Sequence, residues 1–349
     1  MLSFARSAAV AALAVAAAAA AQAAQHETLA VQLSVAQPML HGDVDVTVNL
    51  TVTNTANHPV ALLKWQLPSD DMQAPLFRIT HEDGTPVRYL GRIVKRAAPR
   101  AGDMVVLQPG ASLSYQVELT GAYDLSRNGR YAIEFVSRGH ANGSVALATA
   151  SPLYVWLDGR SGLGAEPMAA PPMSTQAATI TYTGNCTSSQ KTTLQSAVSA
   201  ARNYANNAVS YLNGTPGATQ RYVKWFGAYS SSGWSTARSH FVNEQNAWNN
   251  AALTLDCSCK DSGTYAYVYP TQPYKIYLCG AFWSAPMTGT DSKGGTLIHE
   301  MSHFNVIAGT DDWAYGQSAA ASLARSSPSK ALDNADNHEY FAENSPFLP

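Results

Sequence analysis

The chain has 349 residues, which is long enough for two domains, and 46% of them are hydrophobic. Only 13% are charged, the formal net charge is −2, and no basic run or stripe is visible. Nucleic acid is therefore not expected among its partners.

The N-terminal residues have the features of a secretory signal peptide. Arg6 supplies a positive charge, residues 8–21 form an alanine-rich apolar run, and Ala21-Gln22-Ala23 offers the small residues of a cleavage site. A transmembrane anchor is the less favoured alternative, because alanine is weakly apolar and the run is short for a span. Residues 1–23 are therefore predicted to direct export of a secreted, extracellular protein without stable membrane anchoring.

Residues 24–157 are predicted to form an all-β antiparallel sandwich of immunoglobulin-like type. The sequence has the pattern of a strand in four segments, at residues 44–52, 112–119, 131–135 and 153–156. Turn-forming sequences separate the strands, at residues 82–84, 108–110 and 127–129. This part has no catalytic constellation. Its scattered histidines are interpreted as surface or turn residues: His41, His58, His81 and His140.

Residues 158–178 are predicted to be a linker. Gly, Ala, Pro, Met and Ser dominate the segment, and such a composition cannot bury a core and invites proteolysis. We therefore expect a maturation site here. The alternative is an ordinary interdomain linker with both parts retained.

Residues 179–349 are predicted to form an α+β domain that is mostly helical. Helical periodicity and capping residues predict helices at residues 187–211, 221–226, 236–253 and beyond residue 329. Two strands are predicted, at residues 265–269 and 275–279. In an exported chain an even number of cysteines indicates disulfide bonds. Four are present here: Cys186, Cys257, Cys259 and Cys279.

The motif on which the functional interpretation depends follows these strands. It reads His299-Glu300-Met301-Ser302-His303, a His-Glu-x-x-His pattern. Residues four apart lie on one face of a helix, so His299 and His303 can bind one zinc ion. Glu300 would lie beside them, placed to take a proton from a water that the zinc activates. The helix is expected to continue to about Gly309, a residue type that often ends helices.

A hydrolytic zinc site needs a third protein ligand and leaves one position for water. The metzincin pattern fails here, because Val306 and Gly309 occupy the positions of its glycine and its third histidine. The residues alone leave four carboxylates open as the third ligand: Asp311, Asp312, Glu339 and Glu343.

The motif and its continuation resemble those of the aspzincins, which include the deuterolysins and the peptidyl-Lys metalloendopeptidases. The continuation reads Gly309-Thr310-Asp311-Asp312-Trp313-Ala314-Tyr315-Gly316 and matches Gly-Thr-x-Asp-x-x-Tyr-Gly. The resemblance implies a zincin-like domain and a secreted zinc endopeptidase that acts on proteins or peptides. It implies that His299, His303 and Asp312 bind one catalytic Zn²⁺, with Glu300 as the base and Tyr315 as the oxyanion donor.

The resemblance also assigns residues outside the motif. It implies two disulfide bonds, Cys186–Cys257 and Cys259–Cys279. Asp336 and Glu339 lie three residues apart and alone could form a solvated helical face. In the peptidyl-Lys enzymes the matching acids form the pocket for lysine, and a buried carboxylate pair attracts an ammonium group strongly. Cleavage is therefore expected on the N-terminal side of lysine, and replacing both acids is expected to relax that preference and spare the zinc.

Since the resemblance begins only after the linker, residues 24–157 are interpreted as the propeptide of a zymogen that acts as an intramolecular inhibitor. A propeptide lysine, Lys64 or Lys95, could occupy the acidic pocket. No lysine lies between Arg160 and Ala178. Release at the linker therefore requires looser specificity or another protease. Similar enzymes occur as bacterial exotoxins, so the resemblance also suggests a role in virulence.

Three other hypotheses remain open. A broad-specificity, deuterolysin-like protease would have no lysine preference, and a thermolysin-type site would use Glu339 as the third ligand. A catalytically inert secreted binding or adhesion protein would use its sandwich to bind a partner. Glu300 and Tyr315 argue against the last hypothesis, because an inert site needs neither.

Overall fold

The computed structural model describes residues 29–69, 71–137, 146–162 and 178–349. The predicted signal peptide, His140 and residues 163–177 of the predicted linker lie outside these ranges. In the described N-terminal part the strands are β1 (Leu29–Ser34), β2 (Met39–His41), β3 (Thr47–Asn54), β4 (Val60–Leu63), β5 (Phe77–His81), β6 (Ile93–Arg96), β7 (Met104–Leu107), β8 (Ser112–Glu118), β9 (Gly129–Ser137), β10 (Leu147–Ala148) and β11 (Leu153–Asp158).

Most of these strands form sheets within the N-terminal part. One sheet has the order β1-β3-β8 and a second the order β10-β9-β11-β2, with β5 also paired to β9. Their inward side chains alternate along the strands, as in β9, and belong to one hydrophobic cluster. The predicted β structure is therefore present, whereas the immunoglobulin-like relationship stays a prediction.

The prediction of a wholly antiparallel part is wrong at one strand. β2 runs parallel to β11, with Trp156 opposite Met39. The reason is that β2 and β11 lie far apart in the chain, with eight strands between them. No hairpin joins the two strands, so no tight turn forces the antiparallel direction.

The C-terminal part mixes strands and helices. Its described elements are β12 (Thr179–Thr183), α1 (Ser188–Leu212), α2 (Gln220–Phe226), α3 (Ser231–Asn250), β13 (Ala252–Asp256), β14 (Thr264–Val268), β15 (Lys275–Leu278), α4 (Gly280–Ser284), α5 (Lys293–Ser302), α6 (Gln317–Ser326), α7 (Pro328–Leu332) and α8 (Ala335–Glu343). No helix within the described ranges is both long and apolar enough to span a bilayer.

The first and third long helices test the sequence-based boundaries. Of the two capping residues that the sequence offers, Thr187 and Ser188, Thr187 caps α1: its side chain accepts a hydrogen bond from the Gln190 backbone N–H at 3.2 Å. The third predicted helix, 236–253, is displaced. α3 starts five residues earlier, after the cap Ser230, and the segment from Ala252 is strand β13. β13 pairs on both sides in a sheet, and these pairings override the helical periodicity.

The C-terminal sheet has five strands in the order β12-β13-β15-β14-β6. The first three run parallel, and β14 is antiparallel to β15. Its outer strand, β6, comes from the N-terminal part and pairs antiparallel with β14. A segment of the N-terminal part therefore covers the edge that β14 would otherwise expose.

Each part has its own hydrophobic core. The buried residues of the C-terminal cluster run from Leu194 to Ala342, and none belongs to the N-terminal cluster. Two disulfide bonds, Cys186–Cys257 and Cys259–Cys279, both lie in the C-terminal part and have the predicted pairing. The two cores are therefore separate, and both disulfide bonds cross-link the C-terminal part.

Candidate active site

Helix α5 presents the histidine motif from a buried position. All ten of its residues are buried. Ser292 caps its first turn, where the hydroxyl accepts from the Gly295 backbone N–H at 2.9 Å. The Glu343 carboxylate accepts hydrogen bonds from the Ser292 backbone N–H at 2.9 Å and from its hydroxyl at 2.7 Å. Glu343, one of the open candidates for third ligand, is therefore used to hold the start of this helix.

The helix ends earlier than predicted, at Ser302. His303 keeps helical backbone angles, and turns follow until Gly309, which has a φ of 61°. The Thr310 backbone N–H then donates to the Ser302 carbonyl at 3.1 Å. Because this carbonyl bonds to Thr310, the chain turns back on the helix and brings Asp312 to the two histidines.

The three residues implied by the resemblance meet at one point. Asp312 Oδ1 lies 3.3 Å from His299 Nε2 and 3.6 Å from His303 Nε2. All three side chains are buried, and none of these three atoms has a hydrogen-bond partner. Unpaired polar atoms are costly in a protein interior, and a cation bound between them would remove that cost. The donor set fits a zinc ion.

Both imidazoles are oriented by groups behind them. His303 Nδ1 lies 2.8 Å from the Thr310 carbonyl oxygen, which requires a proton on Nδ1 and leaves Nε2 as the electron-pair donor. His299 Nδ1 lies 2.8 Å from Asp336 Oδ1. Outer partners of this kind set the tautomer of histidines that bind metals.

The carboxylates of the centre differ in their affinity for protons. Burial raises the pKa of Glu300 to about 8, and neither of its carboxylate oxygens has a hydrogen-bond partner. Burial also opposes ionisation of Asp312, but the charges of His303 and His299 outweigh it and lower the pKa of Asp312 to about 2. Asp312 thus has the properties of a ligand, and Glu300 those of a base that accepts a proton near neutral pH.

Tyr315 is held over the same centre. Its hydroxyl lies 2.7 Å from Asp312 Oδ2 and 3.2 Å from the carbonyl oxygen of Val94 in β6. The loop between these site residues is fixed by Asn334, whose Oδ1 accepts from the Trp313 and Ala314 backbone N–H groups at 2.7 and 3.0 Å. Sequence reasoning missed Asn334, since no motif distinguishes it.

Asp336 and Glu339 form a buried acidic pocket that holds an ammonium group. Lys95 Nζ lies 3.0 Å from Asp336 Oδ1 and 2.5 Å from Glu339 Oε2. Burial opposes the charge on Lys95, but the two carboxylates outweigh it and raise the pKa of Lys95 well above its usual range. Lys64, the other lysine of the N-terminal part that was considered for this pocket, is exposed.

Two further residues border this pocket and were missed from the sequence. The Tyr265 ring centroid lies 5.8 Å from Lys95 Nζ. Asp291 lines the same cleft, and the Tyr340 hydroxyl donates to Asp291 Oδ1 at 2.6 Å. Only the position of Asp291 immediately before the helix cap could have drawn attention to it.

The geometry separates the alternatives for the third ligand. Among the described residues, the metal-compatible groups are His299 with His303 and Asp312, and His299 with Asp336 and Glu339. The second group already surrounds the Lys95 ammonium. Asp311 takes part in neither group, and its backbone bonds to Asp333 and Ala335.

Comparison with known proteins shows similarity along most of the chain. A family model described as lysine-specific metallo-endopeptidase, the aspzincin M35 model, matches residues 211–343. An extracellular protease of Aeromonas hydrophila is 48% identical over 86% of this chain and 89% of that protein. The peptidyl-Lys metalloendopeptidase of Grifola frondosa is 40% identical over 90% of this chain and 93% of that protein.

A solved structure is also similar. The zinc peptidase from Grifola frondosa is 51% identical, covers 47% of this chain and 100% of that chain, and has a TM-score of 0.46.

Neighbouring aspartates provide a matched test of the third ligand. Loss of an outer-shell partner typically weakens metal binding by about 10- to 100-fold. We expect Asp312→Ala, which removes a ligand, to weaken zinc binding by more than that. Asp311→Ala should leave the zinc content unchanged, because its side chain is outside the ligand cluster. Zinc per chain is measured by elemental mass spectrometry after dialysis against a graded chelator. A variant set in which Asp312→Ala keeps zinc and Glu339→Ala loses it would indicate the thermolysin-type arrangement instead.

Proposed function

Since the chain belongs to the aspzincin family of zinc metallo-endopeptidases, we propose that it cleaves proteins on the N-terminal side of lysine and that residues 24–157 hold it inactive. The observation that carries this proposal is the position of β6. Lys95 fills the acidic pocket, and the carbonyl of the preceding residue, Val94, lies 3.2 Å from the Tyr315 hydroxyl. A substrate lysine in this pocket would place the bond before it at the same hydroxyl.

The reaction uses groups already in place. His299, His303 and Asp312 would hold the zinc. The ion would act as a Lewis acid that polarises the substrate carbonyl and lowers the pKa of water. Glu300 accepts the proton of the attacking water and passes it to the leaving amine. Tyr315 donates a hydrogen bond to the developing oxyanion, a contribution of roughly 3 kcal/mol for one such donor.

Charge and burial support lysine as the residue after the cut. In the uncleaved chain the side chains of Asp336 and Glu339 are 1% and 0% exposed, so the Lys95 ammonium group, rather than water, compensates both carboxylates. A substrate ammonium group supplies the missing positive charge, whereas a neutral side chain leaves both carboxylates unpaired. The pocket therefore selects lysine largely because a neutral side chain would leave its two carboxylates without a counter-charge.

The same contacts support the propeptide as an intramolecular inhibitor. While Lys95 occupies the pocket and β6 occupies the free edge of β14, a substrate strand has no access to either. We further propose that residues 1–23 direct secretion, that residues 24–157 are an immunoglobulin-like propeptide, and that maturation occurs within residues 158–178. Residues 158–178 contain no lysine. Another protease therefore makes that cut, unless the specificity of this enzyme is looser at the linker.

A map of cleavage sites tests the proposed reaction. The zinc-loaded chain, cut within residues 158–178 after folding, is incubated with a denatured protein, and the products are sequenced by mass spectrometry. We expect cuts confined to bonds that precede lysine, and none with Glu300→Ala, because that variant lacks the base. Cuts at many residue types would favour the broad-specificity protease, and no cuts from folded, zinc-loaded protein would favour a binding role.

The two pocket acids should behave differently, which changes the expectation drawn from the sequence. Glu339→Gln removes half of the pocket charge and should lower kcat/KM for lysine peptides by about 100-fold or more, with zinc content retained. Asp336→Asn should lower both kcat/KM and zinc affinity, because Asp336 Oδ1 also orients His299. Peptide kinetics and zinc content are measured on the same preparations. Full zinc affinity in Asp336→Asn would contradict the dual role.

Two propeptide lysines provide a matched test of inhibition. Lys95→Met removes the ammonium from the pocket, so the uncleaved chain should hydrolyse a short lysine peptide faster than wild type does. Lys64→Met changes an exposed lysine and should leave the uncleaved chain inactive. Peptide hydrolysis is followed while the intact mass is monitored. If Lys95→Met is as inactive as Lys64→Met, the Lys95 ammonium group is not required for inhibition, and the pairing of β6 with β14 is enough.

A further inference from the structure

The pairing of β6 with β14 places a row of tyrosines beside the residues that precede Lys95. Tyr267 lies opposite Val94, and Val268 lies opposite Ile93. Along β14, Ala266 and Val268 are buried in the core, whereas Tyr267 is half-buried on the other face of the sheet. Since side chains alternate between the two faces, Val94 and Arg92 share the tyrosine face and Lys95 points to the opposite one.

The tyrosines on this face form a compact cluster. The Tyr267 and Tyr277 rings stack with centroids 4.4 Å apart and an interplanar angle of 6°. Tyr269 lies edge-on to both rings, at 6.1 and 6.0 Å. Lys275 Nζ lies 4.5 Å from the Tyr277 centroid, and the Arg92 guanidinium lies 4.9 Å from the Tyr267 centroid. The ring of Tyr267 thus contacts a cation from Arg92, the residue immediately before β6.

We propose that Tyr267, supported by Tyr277 and Tyr269, is a binding subsite for a cationic side chain at the third residue before the scissile bond of a substrate. This inference rests on the proposed function, in which β6 lies as a substrate does. Counted back from Lys95, the first, second and third residues are Val94, Ile93 and Arg92. Arg92 also pairs with Asp71 in the propeptide, but that contact leaves with the propeptide and the tyrosine ring remains.

The chemistry of the ring predicts an order of preference. A planar guanidinium stacks on an aromatic face better than a strongly hydrated ammonium does, and a carboxylate is repelled by the same face. Substrates with arginine at the third position should therefore be cleaved best, followed by lysine, then alanine, then glutamate. The effect is a refinement of specificity, since lysine after the cut is still required by the acidic pocket.

The experiment uses a fluorogenic peptide with the sequence of residues 90–99, Leu-Gly-Arg-Ile-Val-Lys-Arg-Ala-Ala-Pro, which contains one lysine. The position of Arg92 is varied to Ala and Glu in the peptide. The full chain is folded with zinc, cut within residues 158–178 and separated from the propeptide. We expect kcat/KM to be about twofold to fivefold higher for the arginine peptide than for the alanine peptide.

Three variants of the enzyme locate the effect. Tyr267→Leu should bring the ratio between the arginine and alanine peptides to about one, whereas Tyr267→Phe should keep it, because the aromatic face remains. Tyr182→Leu is the matched control: Tyr182 lies on β12 at the opposite edge of the same sheet, with Lys191 Nζ 5.7 Å from its ring, and the ratio should persist.

The outcomes are distinguishable. Equal rates for the arginine, alanine and glutamate peptides with the wild-type enzyme would overturn the subsite, and so would an unchanged ratio in Tyr267→Leu. Either result leaves cleavage before lysine intact. If no peptide is cut before its lysine, the proposed function fails, and the subsite fails with it.

Discussion

The contact between the two parts of this chain depends on two buried carboxylates that require a cation. Asp336 and Glu339 lie in the interior beside His299, where desolvation of an unpaired charge would be prohibitive. In the full chain Lys95 supplies the positive charge: its Nζ lies 3.0 Å from Asp336 Oδ1 and 2.5 Å from Glu339 Oε2. The contact joins the N-terminal and C-terminal parts at the catalytic centre. It also means that the acidic pocket without Lys95 would have a strong electrostatic demand for another ammonium group.

The acidic pocket and the histidine centre share atoms and therefore act together. Asp336 Oδ1 lies 2.8 Å from His299 Nδ1, and Asp336 Oδ2 accepts from the Gly316 backbone N–H at 2.5 Å. One carboxylate thus contacts a metal-compatible histidine, the loop that carries Tyr315, and the ammonium group in the pocket. The occupant of the acidic pocket and the orientation of His299 are consequently coupled through one residue.

The edge of β14 imposes a second constraint. An unpaired edge exposes backbone donors and acceptors to any extended chain, which is a hazard in a free protein and a requirement for a protease that binds extended substrates. β6 covers this edge with four residues, Ile93–Arg96, so in the proposed zymogen the same hydrogen-bonding groups would serve inhibition first and substrate binding later. Tyr267 lies beside the backbone groups that β6 covers, because it is itself a residue of β14.

The sequence by itself determined the chemistry of the centre. His299, Glu300 and His303 are separated by helical spacing, and Asp312, Tyr315, Asp336 and Glu339 stand at positions that local pattern and resemblance indicate. Cysteine spacing with the same resemblance indicated the disulfide pairs. Local patterns succeed here because a helix brings residues a few positions apart into contact regardless of the rest of the chain.

Only the tertiary structure decided how distant segments meet. The early end of α5 depends on a bond from Thr310 to Ser302, and the strand β13 depends on neighbours in the sheet rather than on its own periodicity. The choice of Lys95 over Lys64 depends on a pairing between residues more than 160 positions apart, such as Lys95 with Ala266. Such contacts arise from the packing of whole elements, and no local signal in the sequence encodes which edge a strand will join.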